Sequence, residues 1–249
     1  VLASEYPLFH RAYAWYRCYR HWASMRFDDT SGLCPGSLAR RSRGVFGLLK
    51  RTKTSGPDKQ ISLLPVFVSQ DAFVSKRWLD TGFALWTEGP LACKGDYFLC
   101  LPSPDLRGTV GKRALYSDAA GFSRSLFASL EASGAYGGTR ILRKEALLFW
   151  TEHSDRAGLD SHLAALGVSS DLRRFVGRWA AQGSEDHYVR TAVRVVEDLQ
   201  RYAADHVRVA YQGGAEYFGE EHLLEQLRAF LREQGVEHDD IQEQLDKLQ

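Results

Sequence analysis

Tyr188, His153 and Arg156 are the residues whose types and spacing point to chemistry. All three fall in 151–191, where Thr-Glu-His-Ser-Asp-Arg is followed by Gly177-Arg178-Trp179, and Tyr188 stands nine residues after that tryptophan. A free phenol ionises near pH 10 and is a weak nucleophile at neutral pH. It attacks well only beside a base or when the group it attacks is surrounded by positive charge. Phosphoryl transfer fits that need, because it depends on positioning and on neutralising the oxygens that gain charge. Arginine neutralises them best, since its planar fork pairs two phosphate oxygens at once. The sequence offers no evident metal-ligand cluster, so cations must carry the charge. Each residue alone also fits a plain reading: Tyr188 as an amphipathic aromatic on a helix, and His-x-x-Arg as a chance pair one turn apart.

His153 and Arg156, three residues apart, project from one helical face. A histidine there can donate to a phosphate oxygen or take the nucleophile's proton. Arg26 closes the first expected helix in Met-Arg-Phe-Asp-Asp, and Asp29, one turn on, is placed to hold its guanidinium. Lys53 lies in Lys-Arg-Thr-Lys-Thr-Ser-Gly, entering a hairpin turn, from which a lysine can reach into a groove and protonate a leaving oxygen. The plain alternatives are a surface ion pair and a basic turn.

The elements that must position these residues follow from periodicity. Residues 5–25 carry large apolar side chains at three- and four-residue steps and read as a helix, broken by Gly32 and Pro35-Gly36. Residues 37–40, 45–50 and 60–68 read as a small antiparallel sheet, with turns at Arg43-Gly44 and Ser55-Gly56-Pro57-Asp58. Helices are expected over 72–87 and 113–132, and between them a segment, 88–112, punctuated by Gly and Pro, with a short strand at 97–101. Gly134–Gly138 reads as a loop. Further helices are expected over 151–166, 169–178, 185–211, 220–234 and 238–248. The order of helix, small sheet, then many helices predicts a mostly helical α+β chain.

Composition sets the outer bounds. The hydrophobic fraction of 44% with 12% aromatics supports a packed core. No apolar run is long enough to span a bilayer, and no signal-peptide pattern opens the chain. The chain begins at Val1 inside an expected helix, which reads as a piece of a longer protein. Its four cysteines, Cys18, Cys34, Cys93 and Cys100, are scattered without Cys-x-x-Cys, which argues for free thiols rather than zinc or a disulfide framework. Net charge is +1, yet residues 10–60 carry eleven Lys/Arg against three acids and residues 213–249 carry ten acids against three Lys/Arg. A basic front suits a polyanion, and an acidic tail suits some other task.

Taken in order, Arg-x-x-Asp, a hairpin Lys-Thr, His-x-x-Arg, Gly-Arg-Trp and a Tyr nine residues beyond the Trp resemble the tyrosine recombinase (phage integrase) family across roughly 20–195. The phrasing Leu-Lys-Arg-Thr-Lys-Thr-Ser-Gly and Tyr-Val-Arg-Thr looks most like recombinases of eukaryotic mobile elements of the Crypton or DIRS type. The resemblance implies a catalytic domain over 1–212, with a three-stranded sheet near its start, and acidic helices over 213–249 that are exchanged between protomers or pack on their own domain. It implies that Arg26 and Arg156 clamp the scissile phosphate, His153 hydrogen-bonds to it, Lys53 protonates the 5′ oxygen, and Tyr188 forms a 3′-phosphotyrosyl bond. Asp29 would support Arg26. The family usually places a histidine directly after the glycine; here Arg178 stands there, and Trp179 has the fitting distance to Tyr188. Trp179 takes the role, with Arg178 as the fallback, and His187 is a neighbour of Tyr188 that competes for it. Arg40, Arg41, Arg43, Lys50, Arg51, Lys59 and Arg178 would bind DNA, joined in the basic front by Arg11, Arg17 and Arg20.

The implied partners are double-stranded DNA and further copies of the chain in a dimeric or tetrameric synapse, with no cofactor, metal, membrane or small-molecule substrate. The expected compartment is the nucleus in a eukaryote and otherwise the cytoplasm or nucleoid. A topoisomerase of the same chemistry and a non-catalytic DNA-binding descendant are the alternatives. The family's complete enzymes also carry an N-terminal helical domain, for which this chain has no room.

Overall fold

One aromatic helix forms the hub. The computed structural model describes residues 5–31, 33, 35–49, 64–73, 77–92, 97–132, 134–177, 189–211 and 220–248. In it α1 runs over Leu8–Trp22, and Phe9, Tyr13, Trp15, Tyr16, Tyr19 and Trp22 are all buried. Apolar side chains at such spacing cover most of the helix surface, so α1 must be enclosed on several sides. It is: Trp15 and Tyr16 stack on Phe98 at centroid distances of 6.4 and 5.5 Å, and Trp86 lies 4.9 Å from the same ring. Each indole N–H finds a carbonyl, Trp15 donating to Leu79 at 3.2 Å and Trp86 to Ala12 at 2.9 Å, as buried tryptophans require.

The first unit comprises residues up to Leu115 together with His153–Glu216. After α1 comes the single turn α2 (Phe27–Thr30), then β1 (Ala39–Arg41), β2 (Gly44–Leu49) and β3 (Leu64–Ser69) in an antiparallel sheet of order β1-β2-β3. Val45 pairs with Arg40 on one side and with Val68 on the other. The turn falls at Ser42-Arg43, one residue before the Arg43-Gly44 expected, because Gly44 pairs with Arg41 as the first residue of β2. Lys50, the turn at 55–58 and the start of the third strand lie outside the described residues. α3 (Arg77–Thr87) packs on α1 through Gly82, where an added Cβ would fall 1.9 Å from the Trp15 ring. The sequence reading began this helix at 72; 72–73 are turn residues instead, held by Trp78 Nε1 donating to Ala72 O at 2.7 Å. α5 (Ser154–Ala165), α6 (Ser170–Gly177) and α7 (Val189–Tyr211) complete the unit. Gln200 of α7 is fully buried and fastens three chain segments: it donates to Trp22 O at 2.7 Å and Phe67 O at 3.0 Å and accepts from Ser69 N at 2.7 Å.

A second hairpin replaces the single strand expected at 97–101. β4 (Cys100–Pro102) pairs with β5 (Thr109–Arg113), Cys100 opposite Arg113. Val110, Lys112 and Arg113 of β5 are exposed, so its core-facing signal in the sequence is faint. Cys18 and Cys100 are free thiols. Burial, and after it the nearby Asp155 charge, pushes Cys18 up to about 11, which keeps it protonated and inert. Cys34 and Cys93 lie outside the described residues.

The second unit joins Tyr116–Glu152 with Tyr217–Gln249. It contains α4 (Tyr116–Ala128), shorter than the 113–132 expected, and the acidic helices α8 (Glu220–Glu233) and α9 (His238–Asp246). Residues 134–136, read as loop, form a short 3-10 turn. Leu227 and Leu231 of α8 and Ile241 and Leu245 of α9 share a core with Leu142 and Ala146. Buried Gln244 accepts from Arg143 N at 2.6 Å and donates to Ile141 O at 2.7 Å. The architecture is mostly helical with a small three-stranded antiparallel sheet, as the order of elements predicted.

Candidate functional site

The candidate site begins where α1 stops. Ser24 adopts a left-handed backbone with φ of 49°. Its N–H reaches His21 O at 3.0 Å, and the Met25 N–H reaches Arg20 O at 2.9 Å. This pair of bonds closes a helix C-terminus and turns the chain sharply. The turn delivers Arg26 to the position before α2, where its backbone N–H donates to Asp29 Oδ2 at 2.9 Å. Asp29 is buried, while Arg26 is half-buried and its guanidinium forms no ion pair among the described residues.

His153 caps α5, and its carbonyl accepts the N–H of Arg156 at 3.1 Å, which makes 153–156 one turn as expected. His153 is exposed. The Arg156 guanidinium is fixed by three chain segments. Nη1 donates to Ser24 O at 2.8 Å, Nη2 donates to Gly177 O at 3.0 Å, and Asp29 Oδ2 lies 3.7 Å from Nη1. Ser24 Oγ in turn donates to the Arg156 carbonyl at 2.8 Å. Burial, and then the adjacent Arg26 cation, lower the Arg156 pKa, with Asp29 and Asp160 pulling the other way. An arginine side chain does not lose its proton under these conditions, so Arg26 and Arg156 are two positive charges that act on each other, with Asp29 and Asp160 as the carboxylates that offset the charge of Arg156.

The structure therefore brings the Arg26–Asp29 turn together with Arg156 and the Gly177 carbonyl, three stretches far apart in sequence. Asp29 does more than the sequence reading gave it: its carboxylate sits against Arg156 and holds the Arg26 backbone. Lys53, Lys50, Arg51, Lys59, Arg178, Trp179, His187 and Tyr188 lie outside the described residues. α6 ends at Gly177 and α7 begins at Val189, so the described chain stops directly before Arg178 and resumes directly after Tyr188.

The basic front divides into two groups. Arg17 and Arg20, grouped by sequence with the DNA-binding arginines, are buried. Arg17 Nη2 lies 2.8 Å from Asp155 Oδ1 and Arg20 Nη1 lies 3.4 Å from Asp155 Oδ2. The Arg20 guanidinium also lies over the Tyr16 ring at 5.3 Å. These two arginines fasten α1 to α5 and do not face solvent. Arg40 pairs with Asp80 and donates to Gly44 O at 3.2 Å. Arg43 pairs with Glu197, and Arg41 is exposed.

Sequence reasoning missed Ser24, whose signal was only a small polar residue at a helix end, and Asp155, which sits inside the His-x-x-Arg span and pairs with Arg17 and Arg20. Among the described residues no group of three His, Cys, Asp or Glu is placed to hold a metal ion. No described helix is long and apolar enough to cross a membrane.

No protein-family model matches the chain, and no curated protein matches it. Among solved structures it is similar to an FLP recombinase–Holliday junction complex, with TM-score 0.44 and 13% identity over 76% of this chain and 42% of that one. A W330F mutant of Flpe in a DNA Holliday junction complex gives TM-score 0.45 and 13% identity over 80% of this chain and 47% of that one. The chain thus spans less than half the length of either.

Proposed function

We propose that the chain is the catalytic part of a tyrosine-type DNA strand transferase, a site-specific recombinase or integrase. The observation that carries this reading is the fixed Arg156 guanidinium beside Arg26. Arg26 lies near enough to act on the charge of Arg156, and its guanidinium forms no ion pair among the described residues. Such an arrangement is costly unless an anion joins it, and a phosphodiester has the charge and the paired oxygens that arginine forks accept.

In the proposed reaction the Tyr188 phenol oxygen attacks the phosphorus, giving its proton to His153. A 3′-phosphotyrosyl bond forms as the bond to the 5′ oxygen breaks, and Lys53 donates the proton that this oxygen takes up. Arg26 and Arg156 bind the non-bridging oxygens, whose charge grows in the transition state. Trp179 donates its indole N–H to the phosphate. Attack by a 5′ hydroxyl from a partner strand reverses the steps and joins the two, with no net change in the number of phosphodiester bonds. Arg40, Arg41, Arg43, Lys50, Arg51, Lys59 and Arg178 supply contacts to the DNA backbone, and further copies of the chain complete the synapse.

The test is incubation with DNA carrying a nicked suicide site in metal-free buffer, read as a covalent protein–DNA species on a denaturing gel. Wild type gives the adduct, and Tyr188→Phe lowers it to background. Absence of adduct from wild type, with DNA still bound, assigns the chain to non-catalytic DNA binding. Two differently labelled duplexes separate the outcomes of catalysis: a joined product marks recombination, and supercoil relaxation alone marks a topoisomerase.

A further inference from the structure

Three helices of this chain end with the same pair of backbone bonds, and one of them breaks the rule for the residue that makes the turn. α5 ends at Gly167, with φ of 74°, where Gly167 N donates to Ala164 O and Val168 N to Leu163 O, both at 3.0 Å. α8 ends at Gly235, with φ of 76°, and repeats the pattern through Arg232 and Leu231. Glycine suits this position because it has no Cβ to clash in the left-handed region. α1 uses the same geometry, but Ser24 occupies the turn at φ of 49°. Serine is strained there, and strain of this kind persists only where surrounding contacts over-determine the residue.

Ser24 contacts Arg156 at two points. Its hydroxyl donates to the Arg156 carbonyl at 2.8 Å, and its carbonyl accepts from Arg156 Nη1 at 2.8 Å. Backbone and side chain of one arginine are thus tied to a single buried residue, two positions before Arg26. A glycine could keep the turn and the carbonyl contact but not the hydroxyl bond. The hydroxyl links the start of α5 to the turn that ends α1, two residues before Arg26.

We propose that Ser24 is a positioning residue that fixes Arg156 opposite Arg26, so that the two guanidinium groups meet one phosphate without rearrangement. This rests on the strand-transfer reading for its consequence, though the fixing of Arg156 is measurable by itself. Misplacing a charge-stabilising group by a small distance costs rate far more than it costs binding.

The experiment compares wild type with Ser24→Gly and Ser24→Ala. Three quantities are read: the single-turnover rate of adduct formation, DNA affinity and thermal midpoint. A fourth is the set of guanidinium N–H resonances of Arg156, assigned by their loss in Arg156→Lys. Ser24→Gly relieves the left-handed strain and is the variant least exposed to folding failure. The expected result for both variants is an adduct rate lowered at least tenfold, with DNA affinity within about twofold of wild type. In Ser24→Gly this loss comes with an unchanged or higher thermal midpoint, a dissociation that a merely structural role does not produce. The Arg156 resonances, separate in wild type because rotation is hindered, merge in both variants. Wild-type rates together with separate resonances in Ser24→Gly overturn the proposal. If wild type itself forms no adduct, the strand-transfer reading falls, and the resonances alone decide whether Ser24 fixes Arg156.

Discussion

Two clusters of two arginines and one aspartate are built from the same stretches of chain, and they differ in what remains available. Around Asp155, Arg17 and Arg20 are buried, and the carboxylate divides its two oxygens between them. Around Asp29, the Arg26 backbone and the Arg156 guanidinium share one oxygen, Oδ2, while the Arg26 side chain stays half-buried. Asp155 and Arg156 are neighbours in sequence and reach different partners, Asp155 the arginines of α1 and Arg156 the turn at Ser24 and the Gly177 carbonyl. The first cluster holds the helices together. The second holds the Arg156 guanidinium while the Arg26 side chain forms no ion pair among the described residues. The comparison teaches that an arginine's role is set by how its charge is satisfied, not by its place in a basic stretch.

The sharpest way to break the comparison is to empty its structural half. Asp155→Ala removes the carboxylate that buried Arg17 and Arg20 share, and removing one partner from a buried ion pair costs roughly 3–5 kcal/mol. Chemical denaturation is expected to show that loss. Replacing the whole cluster, with Arg17→Met and Arg20→Met added to Asp155→Leu, is expected to recover most of it, because no buried charge then remains. If Asp155→Ala denatures like wild type, the buried cluster does not fasten α1 to α5.

Arg26→Ala addresses the other half. The Arg26 guanidinium supports no ion pair among the described residues, so stability is expected to change by about 0.5 kcal/mol or less. Loss of one charge-stabilising donor typically slows a reaction about 10²–10³-fold. Single-turnover adduct assays should find that loss, with the thermal midpoint nearly unchanged. A large stability loss together with a proportionate rate loss would make the second cluster structural as well.

The fold was legible in the sequence where periodicity was strong. α1, with aromatic residues on nearly every turn, and the alternating β2 were placed within a few residues. The β4–β5 hairpin was half missed because β5 is exposed and short, so no buried face marks it. The site was partly legible: Arg26, Asp29 and Arg156 were singled out by residue type and order. Burial was not legible. Arg17 and Arg20 read like Arg40 and Arg41, because only the fold shows that Asp155 points back at α1. Ser24 was invisible for a related reason, since its conformation and partner are properties of the turn and not of the local pattern.

The smallest expected effect concerns the histidines near the Asp155 cluster. His162 of α5 is lowered to about 4, first by burial and then by His21 of α1 and His206 of α7. His21 is lowered by burial and Arg17 and raised by Asp155, and its ring lies where a Cβ on Gly158 would be, 2.3 Å away. A histidine held neutral in the fold but free to protonate near pH 6.5 when unfolded stabilises the folded state fully only above that value. Its contribution falls as pH drops from 6.5 towards 4, because the unfolded chain then binds a proton that the folded chain does not. His162 is only partly enclosed, so after allowance for solvent screening the effect is about 1 kcal/mol or less. Thermal melts of wild type and His162→Gln between pH 4 and 7.5 measure it. The stability difference between the two is expected to change in favour of the variant as pH falls through this window and to level off above pH 7. A constant difference would mean that protonation of His162 does not act at the α1–α5 contact.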